Sequence, residues 1–149
     1  MAISLKPFVM KNVKLTLVKT AAVPGTPVEY QCQLSQATLT PSASTGGATL
    51  ETFCENHSAG AGKATWTLDL AGFQALQAVT DFSILSYNDE GEEYDFTLNP
   101  LGGVADIANP IFEGIVVMAA TPIGGTAAEY AQFTVSLVCK SKPLMVIAP

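Results

Sequence analysis

The stretch DFSILSYNDEGEEYDFTLNP, residues Asp81 to Pro100, decides the fold because its pattern changes from helical to extended around a glycine. Its first part predicts a short helix that ends at Asn88, with Phe82 and Leu85 on one apolar face. From Tyr94 onward, aromatic and aliphatic residues alternate with acids and threonine, as they do in a strand with one buried face. The stretch therefore predicts a short helix that leads through an acidic turn into a strand.

The alternation of polar and apolar residues recurs on both sides of this stretch. It predicts strands in residues 13–17, 28–39, 49–54, 64–70, 112–119 and 130–140. The second and third of these are expected to form a long hairpin around the small-residue loop PSASTGGA. Seven or eight strands with one helix predict a mainly β fold, a β-sandwich or barrel-like domain with the short α-helix packed on its side and long loops. Trp66 is expected to anchor its core.

The length of 149 residues suits a single domain. The segment AAVPGTP, residues 21–27, contains two prolines and a glycine, so the strand before it is expected to lie on an extended arm. We predict an N-terminal arm over residues 1–27, a sandwich domain over residues 28–140 and a C-terminal tail over residues 141–149. Residues 1–19 contain no apolar run typical of a secretory signal.

Composition excludes several classes of function. All seven basic residues are lysines, and without arginine there is no planar fork for bidentate capture of phosphate, which argues against nucleotide enzymes and sequence-reading DNA-binding proteins. Hydrophobic residues make up 48% of the chain and charged residues 13%, where a charged share of roughly 25% is typical. A small domain with so few charges is expected to cover part of its surface with other copies of itself.

The two signs of charge are separated along the sequence. Residues 1–28 and 130–149 contain six lysines and no acid, whereas all thirteen acids and one lysine lie between Glu29 and Glu129. One interpretation is an acidic surface that faces solvent, with lysines scattered by chance. The other is that the basic ends of one copy bind the acidic body of the next, in a head-to-tail contact that need not close.

The sequence offers few groups for catalysis. His57 is the only histidine, and its separation from Cys54 does not define a catalytic pair. The common hydrolase, phosphate-binding and zinc motifs are absent from the sequence. We therefore expect the protein not to be an enzyme, and we predict no catalytic, metal or cofactor-binding residue. The three cysteines, which are Cys32, Cys54 and Cys139, are expected to be reduced core residues. The sequence leaves open whether two of them form a single disulfide.

The turn between the predicted helix and strand carries the densest cluster of carboxylates. Its acids are Asp89, Glu90, Glu92, Glu93 and Asp95. Such a cluster could bind a hard cation, although the spacing does not match an EF-hand loop. The other interpretation is a solvated turn in which Gly91 supplies the backbone freedom. In an assembly, the same turn could bind the lysine-bearing ends.

Three segments occur in an order that resembles the major tail protein, or tail tube protein, of long-tailed bacteriophages. They are TWTLDLAGFQ (residues 65–74), DFSILSYNDEGEEYDFTLNP (residues 81–100) and GIVVMAATPIGGTAAEYAQFTVSLV (residues 114–138). The resemblance, which covers residues 28–140, implies a structural virion protein whose copies form rings of six that stack into a hollow tube for genome delivery. It also implies other copies, the tape measure protein and tail-end proteins as partners, passage of DNA without tight binding, no membrane, no cofactor, and assembly in the host cytoplasm.

The resemblance also gives roles to particular residues. The candidates for the lumen lie on the polar face of the predicted hairpin and are Glu29, Gln31, Gln33 and Glu51. The candidates for ring stacking lie in the ends, the hairpin tip and the acidic turn, and they are Lys6, Lys11, Lys14, Lys19, Ser42, Ser44, Thr45, Asp89, Glu90, Glu92, Glu93, Lys140 and Lys142. An acidic or neutral lumen would leave DNA mobile, since DNA itself is densely negative.

Other classes stay open beside this one. Tube proteins of contractile injection machines and tail terminators share the fold. A surface β-sandwich that binds carbohydrate or protein would need an exposed aromatic platform, and an enzyme would need a convergent set of titratable groups.

Overall fold

The computed structural model describes residues 2, 4, 7–22, 25–42, 49–51, 56–58 and 64–148. This part of the chain contains ten strands and one helix, α1 (Phe82–Asn88). The strands are β1 (Lys14–Lys19), β2 (Val28–Glu29), β3 (Leu34–Ser42), β4 (Thr49–Glu51), β5 (Asn56–Ser58), β6 (Thr65–Phe73), β7 (Glu93–Asn99), β8 (Ile111–Val117), β9 (Gln132–Val138) and β10 (Leu144–Val146). The predicted mainly β fold with one short helix is confirmed.

Five strands form one antiparallel sheet in the order β10-β8-β7-β1-β2. Within it, Leu15 of β1 lies opposite Leu98 of β7, and Leu17 lies opposite Phe96. Because β1 is an inner strand of this sheet, residues 14–19 belong to the sandwich and not to the arm predicted for residues 1–27. At the other end of the chain, β10 pairs with β8 within the segment predicted as a tail, residues 141–149.

A second antiparallel sheet has the order β3-β6-β9, and β4 and β5 form a separate two-stranded pair. The long hairpin predicted between residues 28–39 and 49–54 is therefore wrong. The predicted partners pair elsewhere, because β3 pairs with β6 from Leu34 to Ser42 and β4 pairs with β5. In addition, a turn at residues 31–33, where the backbone N–H of Gln33 donates to the carbonyl of Tyr30 at 2.9 Å, interrupts the strand predicted over residues 28–39. This turn ends β2 and carries the chain from the first sheet to the second.

The described cysteines, Cys32 and Cys139, differ in burial. Cys32 lies within the turn at residues 31–33 and is exposed, so its predicted place in the core is wrong. Cys139 is buried, as predicted. Its backbone pairs with that of Val116 in an isolated antiparallel β-bridge, which joins the end of β9 to β8. Cys54 lies outside the described residues, as does most of the predicted hairpin tip, residues 43–48.

The core lies between the inner faces of the two large sheets. Alternate residues of β1 and β7 meet alternate residues of β6 and β9, as the strand period requires. The buried side chains of these strands are Leu15, Leu17, Tyr94, Phe96, Leu98, Leu68, Leu70, Phe133 and Leu137. Since burial of one such side chain is worth about 1.5–3 kcal/mol, this layer is the main source of stability. Trp66, expected in the core, is only half-buried at its margin.

Helix α1 closes one end of this core. Asp81 precedes it in an extended conformation, and the carboxylate of Asp81 accepts hydrogen bonds from the N–H groups of Gln77 and Ala78 at 2.9 and 2.8 Å. Phe82 is fully buried, and its ring stacks on Phe133 with centroids 5.2 Å apart. The predicted helix is confirmed, and its single aromatic anchor ties it to the second sheet.

Gly72 allows β3 and β6 to approach each other closely. A Cβ at this position would lie 2.1 Å from the carbonyl oxygen of Gln33, which in turn accepts a hydrogen bond from the N–H of Phe73 at 3.0 Å. The pairing of the two strands shifts at this point, between Leu34 and Gln36. Any larger residue would therefore push against backbone and disturb the start of β3.

Candidate assembly surfaces

The acidic turn, residues 89–95, contacts two of the lysines predicted to bind it. Lys19 Nζ lies 3.6 Å from Asp89 Oδ1 and 3.7 Å from Glu92 Oε2. Lys140 Nζ lies 2.8 Å from Glu93 Oε1. The lysines therefore reach the acidic turn within a single chain, because β1 pairs with β7 and the segment after β9 pairs with β8. For these two of the six lysines in the ends, an acidic partner is present within the same chain.

Hydrogen bonds hold the acidic turn in place. The hydroxyl of Tyr94 donates to Asp89, and burial together with this bond raises the pKa of Tyr94 above its ordinary value. Gly91 has a φ of 86°, which glycine adopts easily, and its N–H donates to the carbonyl of Met118 at 2.8 Å. Across the described residues, no group of three His, Cys, Asp or Glu side chains is placed to hold a metal ion. The turn is thus a well-ordered connection between α1 and β7.

The other stacking candidates are scattered. Glu90 and Lys14 are exposed, and Ser42 is the exposed last residue of β3. Lys142 lines the apolar groove that is described below, and Lys11 lines a separate cleft beside Val13 and Gln36. Lys6, Ser44 and Thr45 lie outside the described residues.

The lumen candidates do not share one strand face. Gln31 and Gln33 lie in the turn after β2, and both are half-buried. The side-chain oxygen of Gln31 accepts from the N–H of Leu15 at 3.3 Å, and its nitrogen donates to Glu29 at 2.9 Å. Glu51 lies on β4, whose partner is β5 and not β2. The alternating polar residues that predicted a lumen face therefore lie in part in a turn, which the side chain of Gln31 stabilises through these hydrogen bonds.

An apolar groove is a surface that the sequence analysis did not predict. It has a volume of about 420 Å³ and lies between the open ends of the two sheets. Its floor contains Trp66, Leu98 and Phe112, while Phe8 and Met145, 63% and 54% exposed, form its rim. The residues come from both ends of the chain and from its middle, so no local pattern could reveal the groove.

A second unpredicted surface is an aromatic pair at the other end of β6. Phe73, 48% exposed, and Tyr130, 88% exposed, meet edge to face with ring centroids 6.3 Å apart. The exposed side chains of Leu76 and Ile123 belong to the same two loops. Exposed apolar groups of this size mark surfaces that bind other molecules. The sequence signal for this surface is the aromatic residue Tyr130, which the alternation places in the strand predicted over residues 130–140. In the structure, β9 begins only at Gln132, so Tyr130 lies in the loop before it.

The outer strands of both sheets offer unpaired backbone groups within the described part of the chain. β3 is the longest of them, with nine residues, and it has β6 on one side only. Pro41 lies near its end, where a residue without an N–H is tolerated because the strand is at an edge. Such an edge is a template for pairing with another chain unless something covers it.

No profile of a known protein family matches the chain, and no curated protein sequence matches it. Among solved structures, the chain is similar to one chain of the cryo-EM structure of the anti-feeding prophage (AFP) baseplate, 6-fold symmetrised. The alignment covers 97% of this chain and 98% of that chain, with a TM-score of 0.51 and 10% sequence identity. The likeness shows a shared fold along the full length of both chains. Within the described residues, no helix has the length and apolar character needed to cross a bilayer.

Proposed function

We propose that this protein is a structural subunit of a phage-type tail, and that its copies form six-membered rings which stack into a hollow tube for genome DNA. The observation that carries the proposal is the shared fold, over nearly all of both chains, with a component of a six-fold symmetrised prophage baseplate. We also propose that the protein is a structural component of the virion and not an enzyme.

The open strand edges support assembly into rings. Among the described residues of one copy, one side of β3 has no strand partner. Joining the sheets of neighbouring copies around an axis would pair such edges, in the way that closed barrels remove theirs. The exposed apolar side chains of the described residues, from Phe8 to Ile147, would also be covered by neighbours.

The charge of the chain supports passage of DNA without tight binding. The net charge is −6, and arginine, the usual partner of phosphate in a bidentate contact, is absent from the sequence. Binding of nucleic acid to a protein surface depends mainly on neutralised phosphates. A conduit built from many acidic copies would repel the DNA and leave it free to move. The tape measure protein and the tail-end proteins are the further partners that we propose.

The decisive experiment is negative-stain electron microscopy of the purified protein with light scattering on the same sample. We expect rings with six-fold averages, and tubes at high protein concentration. A species of 15.5 kDa at every concentration and salt level would contradict the proposal. A contractile injection machine or tail terminator role is the second candidate, favoured by the baseplate origin of the similar chain. Rings that never stack beyond one or two layers would support the terminator role over the tube.

A further inference from the structure

We propose that the aromatic pair of one copy binds in the apolar groove of a copy in the next ring, and that this contact drives stacking. We call the pair Phe73 and Tyr130 the knob, and the cleft lined by Phe8, Trp66 and Met145 the groove. The inference rests on the proposed function, because it assigns the stacking contact of that tube.

The knob is held rigidly before it binds anything. The side-chain nitrogen of Gln74 donates to the carbonyls of Gln132 and Gly124 at 2.7 and 2.9 Å, and its oxygen accepts from the N–H of Gly124 at 2.9 Å. The backbone N–H of Gln74 also donates to Ala131 at 2.9 Å. These bonds tie the loop after β6 to the loop before β9. A preorganised contact surface loses little conformational entropy on binding, which favours affinity.

The groove offers matching chemistry. Its lining is almost entirely apolar, and its volume of about 420 Å³ falls within the range of roughly 300–1,000 Å³ that is usual for clefts that bury a bound group. Aromatic side chains inserted into such desolvated pockets are the commonest anchors of protein interfaces. Tyr130 would place its ring among apolar side chains and keep its hydroxyl in contact with solvent at the mouth of the groove.

The knob and the groove lie at opposite ends of the same strand. Trp66 in the groove and Phe73 in the knob are both residues of β6, seven positions apart. At about 3.3 Å per residue, they are separated by about 23 Å along the strand. A copy therefore cannot insert its knob into its own groove. Two different surfaces at opposite ends make a heterologous contact, which repeats along an axis without closing.

Charge favours a second copy as the occupant of the groove. Lys142 lines the groove, and Glu129 precedes Tyr130 in the loop that carries the knob. Insertion of the knob would bring this carboxylate to the lysine at the rim. Opposite charges at matched positions select the register of a contact and disfavour wrong partners. Groove and knob thus complement each other in polarity and charge within one sequence.

The test uses full-length protein and variants with small polar replacements at exposed positions. Tyr130→Ser removes the knob, and Phe8→Ser with Met145→Ser removes the rim of the groove. We expect each variant to form single rings and no tubes in negative stain. Tyr87→Ser is the matched control, because Tyr87 is 66% exposed on α1 and belongs to neither surface; it should form tubes like the unmodified protein.

Mixing preformed rings of the two variants sharpens the test. A knob-deficient ring still has its grooves, and a groove-deficient ring still has its knobs, so the mixture should give ring pairs and stop there. Tubes formed by either variant alone, or a mixture that stays as single rings, would overturn the inference. Loss of the rings themselves in variants that remain folded by circular dichroism would also overturn it, since the surfaces would then act within a ring.

A charge exchange tests the pairing of the rim directly. Glu129→Lys and Lys142→Glu should each raise the protein concentration needed for tubes about tenfold, and the double variant should restore it to within about threefold. No restoration would mean that the two groups do not face each other, against the inference. If the unmodified protein itself forms neither rings nor tubes, the proposed function fails; if it forms tubes that all variants also form, only this inference fails.

Discussion

The side-chain oxygen of Gln33 accepts a hydrogen bond from the backbone N–H of Phe82 at 3.1 Å, and thereby joins the turn after β2 to the start of α1. The nitrogen of the same side chain donates to Asp81 Oδ1 at 2.9 Å. The first N–H groups of a helix have no partner within it, so a side chain from elsewhere can satisfy one of them. Gln33, predicted to face a lumen, thus caps a helix from a distant position in the sequence.

Replacement of Gln33 by alanine should lower the free energy of unfolding by about 1–2 kcal/mol, because it leaves the N–H of Phe82 without this acceptor. Urea denaturation followed by tryptophan fluorescence measures the change. Gln36→Ala is the matched control, since Gln36 is exposed on the edge strand β3; we expect a change within about 0.5 kcal/mol there. Equal effects of the two substitutions would show that the contact with α1 does not stabilise the fold.

Asp81 makes the stability of the helix start dependent on pH. Hydrogen bonds from the backbone N–H groups of Ala78 and Gln77 hold the pKa of Asp81 below its ordinary value. A carboxyl group whose pKa is lowered by folding stabilises the protein above its unfolded pKa of about 3.9 and loses that contribution as the pH falls through the folded pKa.

The substitution Asp81→Asn removes the titrating group but keeps the size of the side chain. We expect the variant to be less stable than the unmodified protein at pH 6, with a difference that narrows as the pH falls below about 3.9. Urea denaturation of both proteins at several pH values from 6 to 2.5 measures the two curves. A difference in stability that is the same at every pH would contradict this role of the carboxylate.

The two described cysteines should differ in reactivity. Burial raises the pKa of the Cys139 thiol to about 11, so at pH 8 about one molecule in a thousand carries the reactive thiolate at this position. Cys32 is exposed. We expect iodoacetamide at pH 8 to label Cys32 at least about tenfold faster than Cys139, as followed by peptide mass spectrometry. The same labelling in urea is the control and should remove the difference; equal rates in the folded protein would contradict the burial of Cys139.

Local patterns were enough to predict several elements. The alternation of Tyr94, Phe96 and Leu98 predicted β7, and the position of Phe82 predicted α1. Both predictions succeeded because the burial of one face of a strand or helix produces a regular pattern in neighbouring residues. The prediction of one continuous strand failed at residues 28–34, because the alternation of polar and apolar residues continues there through a turn that contains neither glycine nor proline. The chain changes sheets there, and only the pairing of distant strands decides that point.

The candidate surfaces were harder to predict than the strands. The charge pattern predicted that lysines of the ends bind the acidic turn of another copy, whereas Lys19 and Lys140 contact the turn of their own chain. The groove joins Phe8 to Met145, and the knob joins Phe73 to Tyr130. Contacts over such separations depend on the whole topology, so composition could indicate assembly but not its surfaces.

Truncation at the N-terminus separates the predicted arm from the sandwich. An N-terminal arm over residues 1–27, as the sequence predicts, would allow a protein without residues 1–19 to fold. The structure reverses this expectation, because β1 lies between β7 and β2, and its residues Leu15 and Leu17 are 0% and 1% exposed. Removing both would cost about 3–6 kcal/mol of burial, which approaches the total stability of about 5–15 kcal/mol that is usual for a domain.

We therefore expect a protein that starts at Thr20 to be unfolded, while one that starts at Phe8 keeps every described strand and folds. Circular dichroism and urea denaturation measure folding of the two truncated proteins, and negative stain then measures tube formation by the shorter deletion. Since Phe8 remains as part of the groove rim, stacking should survive in that protein. A cooperative unfolding transition in the protein that starts at Thr20 would show that β1 is dispensable, and it would return residues 14–19 to the arm.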